Sequence, residues 1–322
     1  MIGAGLDLGT TQVKGAAVRV HEDGSVTVLA AVLLPAAELK ARMGEIAGIL
    51  SRRRPAPLTR VPLWTVVTGA EAVFERVRLP LPSDLLDVTD AAVRDGILRG
   101  TIQSPYEFKP AEDCWDLSIV RYFRRAGDAE ALGFRAVEVL LALVRRRMAE
   151  SARLPLKGLG APTVLPTALA VPGFVARFFP GAAGAPVLIL DFGIAGASAV
   201  LLDGAHVIKT ARAAYPELAG QVAQVARVEP EALDQRMQNA DVSTGDPVNS
   251  ALREVVTRVL RQLQTAIWSG DAAPPRPQRI VLSGGLSALK GMTRLANTIL
   301  GAPAELLSQP DRLKTPAPLP GP

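Results

Sequence analysis

Small and apolar residues alternate from Ile2 to Leu8, break at Gly9-Thr10-Thr11, and resume as Val13, Ala16, Val18 and Val20. This period of two predicts two strands joined by a tight turn. Ser25 to Leu33 keeps the alternation through Val26, Val28, Ala30 and Val32, which completes a three-strand meander. The period then changes. Leu39, Met43, Ile46 and Leu50 fall on one stripe, so Pro35 to Ser51 is predicted to be an amphipathic helix, ended by Arg52-Arg53-Arg54 and Pro55. Leu63 to Thr68 reads as a buried strand. Strands, helix and strand in this order make half of an α/β layer.

The texture differs from Gly69 to Gly158. Ala72 to Leu79 is a strand stopped by Pro80 and Pro82. Ser83 is expected to N-cap a helix running to about Arg99, with Leu86, Val88, Ala92, Val93, Ile97 and Leu98 on its inner side. Asp113 to Arg121 and Phe134 to Leu143 alternate as strands, and a helix over Val144 to Leu154 follows. The segment reads as a small α+β module set into the first lobe, or else as more of one large domain.

Ala161 to Phe179 returns through a Pro-broken strand and a helix, and Gly181 to Gly184 marks a boundary. Pro186 to Leu202 then repeats the opening design: an apolar strand ending on Asp191, a turn at Gly193, and a returning strand closed by Asp203-Gly204. Ala205 to Ala211 completes a second meander. Helices are predicted over Pro216 to Arg227, Pro230 to Gln238 and Val248 to Trp268. In the last, Leu252, Val255, Val256, Val259, Leu263 and Ile267 form a core stripe. Arg279 to Ser283 is a short strand ending at Gly284-Gly285. Ser287 to Leu300 is a helix whose N-terminus is expected to point at the two turns, and Ala304 to Leu307 is a last strand. Residues 309–322 contain five prolines and are predicted to be an unpacked tail. Two hairpins of one design, one in each half, are an internal repeat.

The first turn offers backbone amides, two hydroxyls and Lys14, groups that replace water around phosphate oxygens. Asp7, just before it, is placed to hold Mg²⁺ through water. The same residues also suit an ordinary hairpin with a Gly-Thr-Thr turn. A partner turn in the other half favours the phosphate reading, because two facing turns can clamp one triphosphate.

At 322 residues, 48% hydrophobic and 21% charged, the chain has the composition of a globular protein able to bury two cores. It holds no apolar run long enough for a transmembrane helix, and a first strand at residue 2 leaves no room for a signal peptide. Cys114 is the one cysteine, so no internal disulfide forms, which fits a reducing cytosol; His21 and His206 make no zinc set with it. A net charge of +5 and 4% aromatics give no support to nucleic-acid binding. Arg52-Arg53-Arg54 and Arg145-Arg146-Arg147 read as solvated faces, with contact to anionic lipid or a partner as the lesser reading.

The order Asp7-Leu-Gly-Thr-Thr hairpin, Asp191-Phe-Gly hairpin, then Ser283-Gly-Gly-Leu-Ser-Ala-Leu-Lys-Gly291 resembles the actin-like ATPase superfamily. There these elements are the first phosphate loop, the second phosphate loop and the adenosine loop, and the resemblance spans about residues 1–308. Pro80-Leu-Pro-Ser83, Ser104-Pro-Tyr-Glu-Phe108 and Asp113-Cys-Trp-Asp-Leu117 in the inserted module look like the extra subdomain of PilM-like type IV pilus assembly proteins, relatives of FtsA. The resemblance implies an α/β, actin-like fold, ribonuclease-H-like and duplicated, with two lobes and a small α+β insert. The expected divisions are 1–68 with 159–180, the insert 69–158, the second lobe 181–308, and the tail 309–322.

By resemblance, Asp7, Gly9, Thr10, Thr11 and Lys14 take the first phosphate side, and Asp191, Gly193, Ile194 and Ala195 the second. Gly284, Gly285 and Leu286 take the adenosine, with Glu231 near the nucleoside; Asp7 and Asp191 hold Mg²⁺ through water. The implied role is a cytoplasmic ATP-binding scaffold of the pilus inner-membrane platform. It would hold the N-terminal peptide of a PilN-like bitopic membrane protein and meet other platform or motor proteins, or further copies of itself. Two departures matter. Leu165 stands where the heat-shock branch has Glu before Pro, and a leucine cannot orient water or take a proton. The usual hydroxyl of the second turn falls on Ala197, with Ser198 one place later. Both predict ATP binding with slow or no turnover. The last helix usual after the adenosine loop is also missing from the sequence. A sugar-type kinase, an FtsA-like protein and a type II secretion scaffold are the alternatives; Asp113 and Asp116 lie off the place a kinase base needs.

Overall fold

The computed structural model describes residues 2–8, 12–23, 25–51, 62–67, 72–85, 88–109, 112–124, 134–159, 161–178, 185–193, 196–204, 206–214, 218–227, 240–269, 274–307 and 313–314. Three strands open the chain: β1 (Ile2–Leu8), β2 (Gln12–Val20) and β3 (Val26–Pro35). They form an antiparallel meander, to which β4 (Leu63–Val67) and β8 (Thr163–Pro166) add in parallel, β4 beside β1 and β8 beside β4. The second meander, β9 (Val187–Phe192), β10 (Gly196–Asp203) and β11 (His206–Ala214), is extended the same way by β12 (Arg279–Ser283) and β13 (Ala304–Leu306). Both sheets therefore run 3-2-1-4-5 in their own strand order, the ribonuclease-H-like plan used twice.

The two sheets are covered differently. Ala4, Leu6, Val13, Leu34 and Leu63 pack with Ile46 of α1 (Met43–Ser51) and with Leu156 and Leu159 of a 3₁₀ segment, on one face of the first sheet. The second sheet is buried on both faces. Leu188, Leu190 and Phe192 meet α5 (Leu218–Ala226), α6 (Pro247–Trp268) and α7 (Met292–Leu300). Val187, Ile189 and Val200 meet Val175 of α4 (Thr167–Phe178) on the other side. The predicted stripe of α6 is buried throughout, and each of its leucines would cost about 2–5 kcal/mol if cut to Ala. Asp246 starts that helix by accepting from the amides of Val248 and Asn249 at 2.9 and 3.3 Å, with Pro247 in its first turn.

A third sheet, ordered β5-β7-β6, comes from the inserted stretch: β5 (Ala72–Pro80), β6 (Asp113–Arg124) and β7 (Phe134–Arg145). Val137, Val139 and Leu141 face α2 (Asp90–Leu98) through Val93 and Ile97. α3 (Arg146–Arg153) then leads back to the first lobe.

Several expected elements shift. The helix expected to begin at Ser83 starts at Thr89, whose hydroxyl accepts from the Ala92 amide at 3.2 Å with Asp90 in the first turn. Ser83 lies in a turn closed by Leu85 N–H to Pro82 C=O. Leu98, expected inside, is 43% exposed because it lies about 100° round the helix from Ile97, off the face that Val93 and Ile97 share; Leu86 lies outside the described residues. The helix expected over Pro35 to Ser51 is a 3₁₀ turn at Ala36–Glu38 followed by α1. The strand β7 runs on to Arg145, so the next helix begins at Arg146 rather than Val144. Ser287 to Leu300 is not one helix. A 3₁₀ turn at Gly285–Ala288 gives way at Leu289 to extended backbone, and Gly291, at φ +81°, caps a separate α7. That N-terminus sits beside Asp241 and Ser243.

Arg145 is not on a solvated face: it donates to both oxygens of Asp113, at 2.8 and 2.6 Å, and the Asp113 side chain is fully buried. In the stretch read as an unpacked tail, Leu313–Lys314 form a two-residue strand, β14, beside Val26 and Thr27 of β3. The Pro230 to Gln238 helix, the Gly181 to Gly184 loop and Arg52-Arg53-Arg54 lie outside the described residues.

Candidate functional site

The cleft between the first two sheets is walled by the ends of their central strands. In β1, Asp7 lies directly across from Lys14 of β2 and beside Val66 of β4. In β9, Asp191 lies across from Ser198 of β10 and beside Ser283 of β12. Directly opposed residues share a sheet face, so each carboxylate carries its two neighbours toward the same side. One cavity of about 250 Å³ collects Asp7, Lys14 and Val66 from one wall and Asp191, Ser283 and Gly284 from the other. Its floor is α4, through Thr167, Ala170, Val171 and Phe174, and Leu307 closes it. Thr167 also donates to the Val67 carbonyl at 3.1 Å, which ties α4 to the end of β4.

Both carboxyls are perturbed. Burial pushes Asp7 up from its ordinary value, and the Lys14 ammonium pulls it part of the way back. Burial also raises Asp191, which is 7% exposed. There a hydrogen bond from Ser283 at 2.8 Å opposes the rise, the charge of Asp7 adds to it, and Lys14 again opposes it. Asp191 thus senses both Asp7 and Lys14, and Asp7 senses Lys14. A pair of half-desolvated carboxylates across a gap invites a cation.

Gly284 explains why the loop after β12 approaches so closely. Its φ is +86°, and a Cβ there would lie 2.3 Å from the Phe192 carbonyl oxygen. Ser287 locks the turn that follows by donating its hydroxyl to the Ser283 carbonyl and its amide to Gly284.

Of the residues predicted from sequence, the structure brings Asp7, Lys14, Asp191 and Gly284 together in one cavity. Gly193 follows the end of β9, with its amide on the Gly196 carbonyl at 3.0 Å. Gly285 and Leu286 form the adjoining 3₁₀ turn, and the Leu286 side chain packs on the second-lobe core. Gly9, Thr10, Thr11, Ile194, Ala195 and Glu231 lie outside the described residues. Ser283, Thr167 and the α4 face were not predicted. Ser283 could have been found as the residue before the Gly-Gly pair, and Thr167 as the residue after the Pro166 break.

Ala197 is buried in the core, whereas Ser198 shares the sheet face of Asp191. Leu165 pairs beside Val66 and faces the same side, where an acid would be needed to move a proton. No group of three or more His, Cys, Asp or Glu side chains forms a metal-ligand set among the described residues. Two carboxylates and a lysine fit a Mg²⁺ that keeps several waters and takes its other ligands from phosphate oxygens. No helix among the described residues is long and apolar enough to cross a membrane.

No protein-family profile matches the sequence, and no characterised protein sequence is similar to it. Solved structures do match. A chain of the PilM-PilN type IV pilus biogenesis complex superposes with a TM-score of 0.66 at 20% identity, over 97% of this chain and 90% of that one. The ethanolamine utilization protein EutJ from Carboxydothermus hydrogenoformans gives 0.49 at 12% identity, over 95% and 84% of the two chains. MreB 5 of Spiroplasma citri bound to AMPPNP gives 0.43 at 10% identity, over 95% and 91%. The chain is similar in fold to PilM over nearly its whole length, and its fold is the two-lobed actin-like one.

Proposed function

We propose that this chain binds ATP with Mg²⁺ between its two lobes and serves as a scaffold of the type IV pilus assembly platform. The observation that carries the reading is the meeting of Asp7, Lys14 and Asp191, from two copies of one strand plan, in a single cavity closed by Gly284. Lys14 and the turns at 9–11 and 193–195 would hold the phosphates, and Gly284 to Leu286 the adenosine. Asp7 and Asp191 would hold Mg²⁺ through water. Held there, Mg²⁺ would supply charge neutralisation for the phosphates and help orient the triphosphate. With Leu165 beside Val66, nothing at that position can activate a water, so turnover is slow or absent.

The division into 1–68 with 159–180, 69–158 and 181–308 belongs to the same reading. So does a partner: the cytoplasmic N-terminal peptide of a PilN-like membrane protein, through which the chain would sit at the inner membrane. On the sheet face opposite α2, the Arg78 and Arg121 guanidinium groups lie 4.0 and 4.9 Å from the centre of the Phe123 ring. Such a stack leaves donors free for an extended peptide. A sugar-kinase role loses support, since Asp113 is spent on Arg145 and the Asp116 side chain is 78% exposed on β6.

The test is to incubate the purified protein with ATP and Mg²⁺, remove free nucleotide and identify what stays bound. One intact ATP per chain supports the scaffold. ADP with released phosphate would give the site a turnover that Leu165 argues against. No retained nucleotide would remove the proposal's central claim.

A further inference from the structure

The inserted module touches the second lobe away from the cleft, where β5 and β11, edge strands of their own sheets, run together. β11 carries a bulge there. Leu201 opposes Lys209 and Leu202 opposes Val207, so Ile208 has no partner in the ladder. A bulge turns main-chain groups out of the ladder, and Arg76 collects them. Its Nη1 donates to the carbonyls of Val207 and Ile208 at 2.7 and 3.3 Å, and its amide to Thr210 Oγ1 at 3.4 Å. Its Nη2 donates to Glu138 of β7 at 2.6 Å, so the arginine is held by its own sheet while it holds the other.

A second contact lies one residue away. Arg212 Nε of β11 is 3.4 Å from Glu75 Oε1, and the Tyr106 hydroxyl donates to Glu75 Oε2. The Arg212 guanidinium also stands 6.0 Å from the Tyr106 ring centre. Burial first, and the bond to Glu75 second, push the Tyr106 hydroxyl up, so it remains a donor at any physiological pH. Arg76 and Glu138 side chains are 17% and 22% exposed, more sheltered than the surface pairs that contribute little.

Ala72, Val144 and Ala149 pack against Val67 and Val164 at the module's base, which joins it to the first lobe. If the separation of the two lobes changes, β5 is then the strand that would slide along β11. We propose that Arg76, Glu75 and Tyr106 form a latch on the β11 bulge that sets lobe separation from outside the cleft and carries cleft occupancy to the module. The proposal rests on the reading that the cleft takes Mg·ATP. Arg78, in the partner stack, pairs in register with Glu138, the carboxylate that anchors Arg76. Latch and docking face thus share one residue. By linkage, a ligand that prefers one lobe separation changes the latch, and the latch changes that ligand's affinity by the same factor.

The experiment uses the full chain with Arg76→Met and Arg212→Met together, read by amide hydrogen exchange and by Mg·ATP affinity. In the wild type, Mg·ATP should alter exchange over 72–80 and 104–109. In the double variant that response should vanish and affinity should shift by about five-fold or more, the lower end of typical couplings. An unchanged response and unchanged affinity in the variant would overturn the latch. If the wild type binds nucleotide with no exchange response at these segments, the latch is likewise overturned while the cleft reading stands. If the wild type binds no nucleotide, the cleft reading falls and the carriage of occupancy falls with it. The remaining part, a restraint on lobe contact from outside the cleft, stands if the variant exchanges faster than wild type along 206–214 without ligand, and falls if it does not. Should the double variant fail to fold, Tyr106→Phe, which removes one hydroxyl, is read the same way.

Discussion

Asp7 and Asp191 occupy the same place in two copies of one sheet, yet their neighbours differ in charge. Asp7 has Lys14 across the ladder and Val66 beside it; Asp191 has Ser198 and Ser283. The first wall therefore carries its own cation, on a sheet whose packed helix cluster lies on one face. The second wall is neutral apart from its acid, on a strand buried along its whole length. The comparison separates two jobs. The first wall can meet phosphate charge unaided. The second buries its acid more deeply, with the Ser283 hydroxyl donating to it.

The sharpest way to break that contrast is Asp191→Asn. Residues that merely orient a metal ligand are worth about 10–100-fold in affinity, so losing the carboxylate itself should weaken Mg·ATP binding by more than about 100-fold. The ligand-free variant should nonetheless be more stable than wild type near neutral pH. The Asp191 carboxyl is raised in the folded state, so its contribution is present in acid and is lost as pH rises through that raised value. Thermal melts taken from below pH 3.8 upward should show that decline in wild type and a flatter profile in the variant. A ligand-free variant no more stable than wild type would contradict the burial argument.

Next in size, Gly284→Ala forces a left-handed residue into the Phe192 backbone. Strain of this kind costs about 1–3 kcal/mol, visible in chemical denaturation together with weaker nucleotide retention. Lys14→Met should follow, at about 10-fold in affinity, the low end for a hydrogen bond to a charged group. Carboxyl NMR should show both acids titrating higher in that variant, since Lys14 holds both down. If Lys14→Met proves more damaging than Asp191→Asn, the assignment of jobs to the two walls is reversed. The smallest effect belongs to Ser198→Ala, about 1 kcal/mol at most for a neutral hydroxyl. A null result in titration calorimetry would return the second turn to the departure first read at Ala197.

The meanders, the paired acids and the α6 stripe were legible because each is written in a local period or a short repeat. What was not legible depended on competition or on distance. Ser83 and Thr89 are both good caps, and only packing of Val93 and Ile97 on the sheet selects the second. A helix over residues 287–300 has no sequence breaker stronger than Gly291, yet Leu289 and Gly291 divide it because Lys290 pairs with Asp241. Arg145 looked like part of a charged run, and its partner Asp113 is opposite it on another strand. The Arg76 contacts join residues more than a hundred positions apart, which no short window can reveal.

The base of the inserted module has a consequence for how the chain assembles. The first sheet cannot be finished until β8 reaches β4, and the whole module lies between them. Pairing of Ala72 with Val144 brings the two ends of that long excursion side by side as soon as β5 and β7 meet. Closing the remaining gap is then a short-loop event, because the entropy of joining the distant segments has already been met by the β5–β7 pairing itself. The module should thus fold ahead of the lobe that carries it, with slow refolding expected in variants that weaken the Ala72–Val144 end of the ladder.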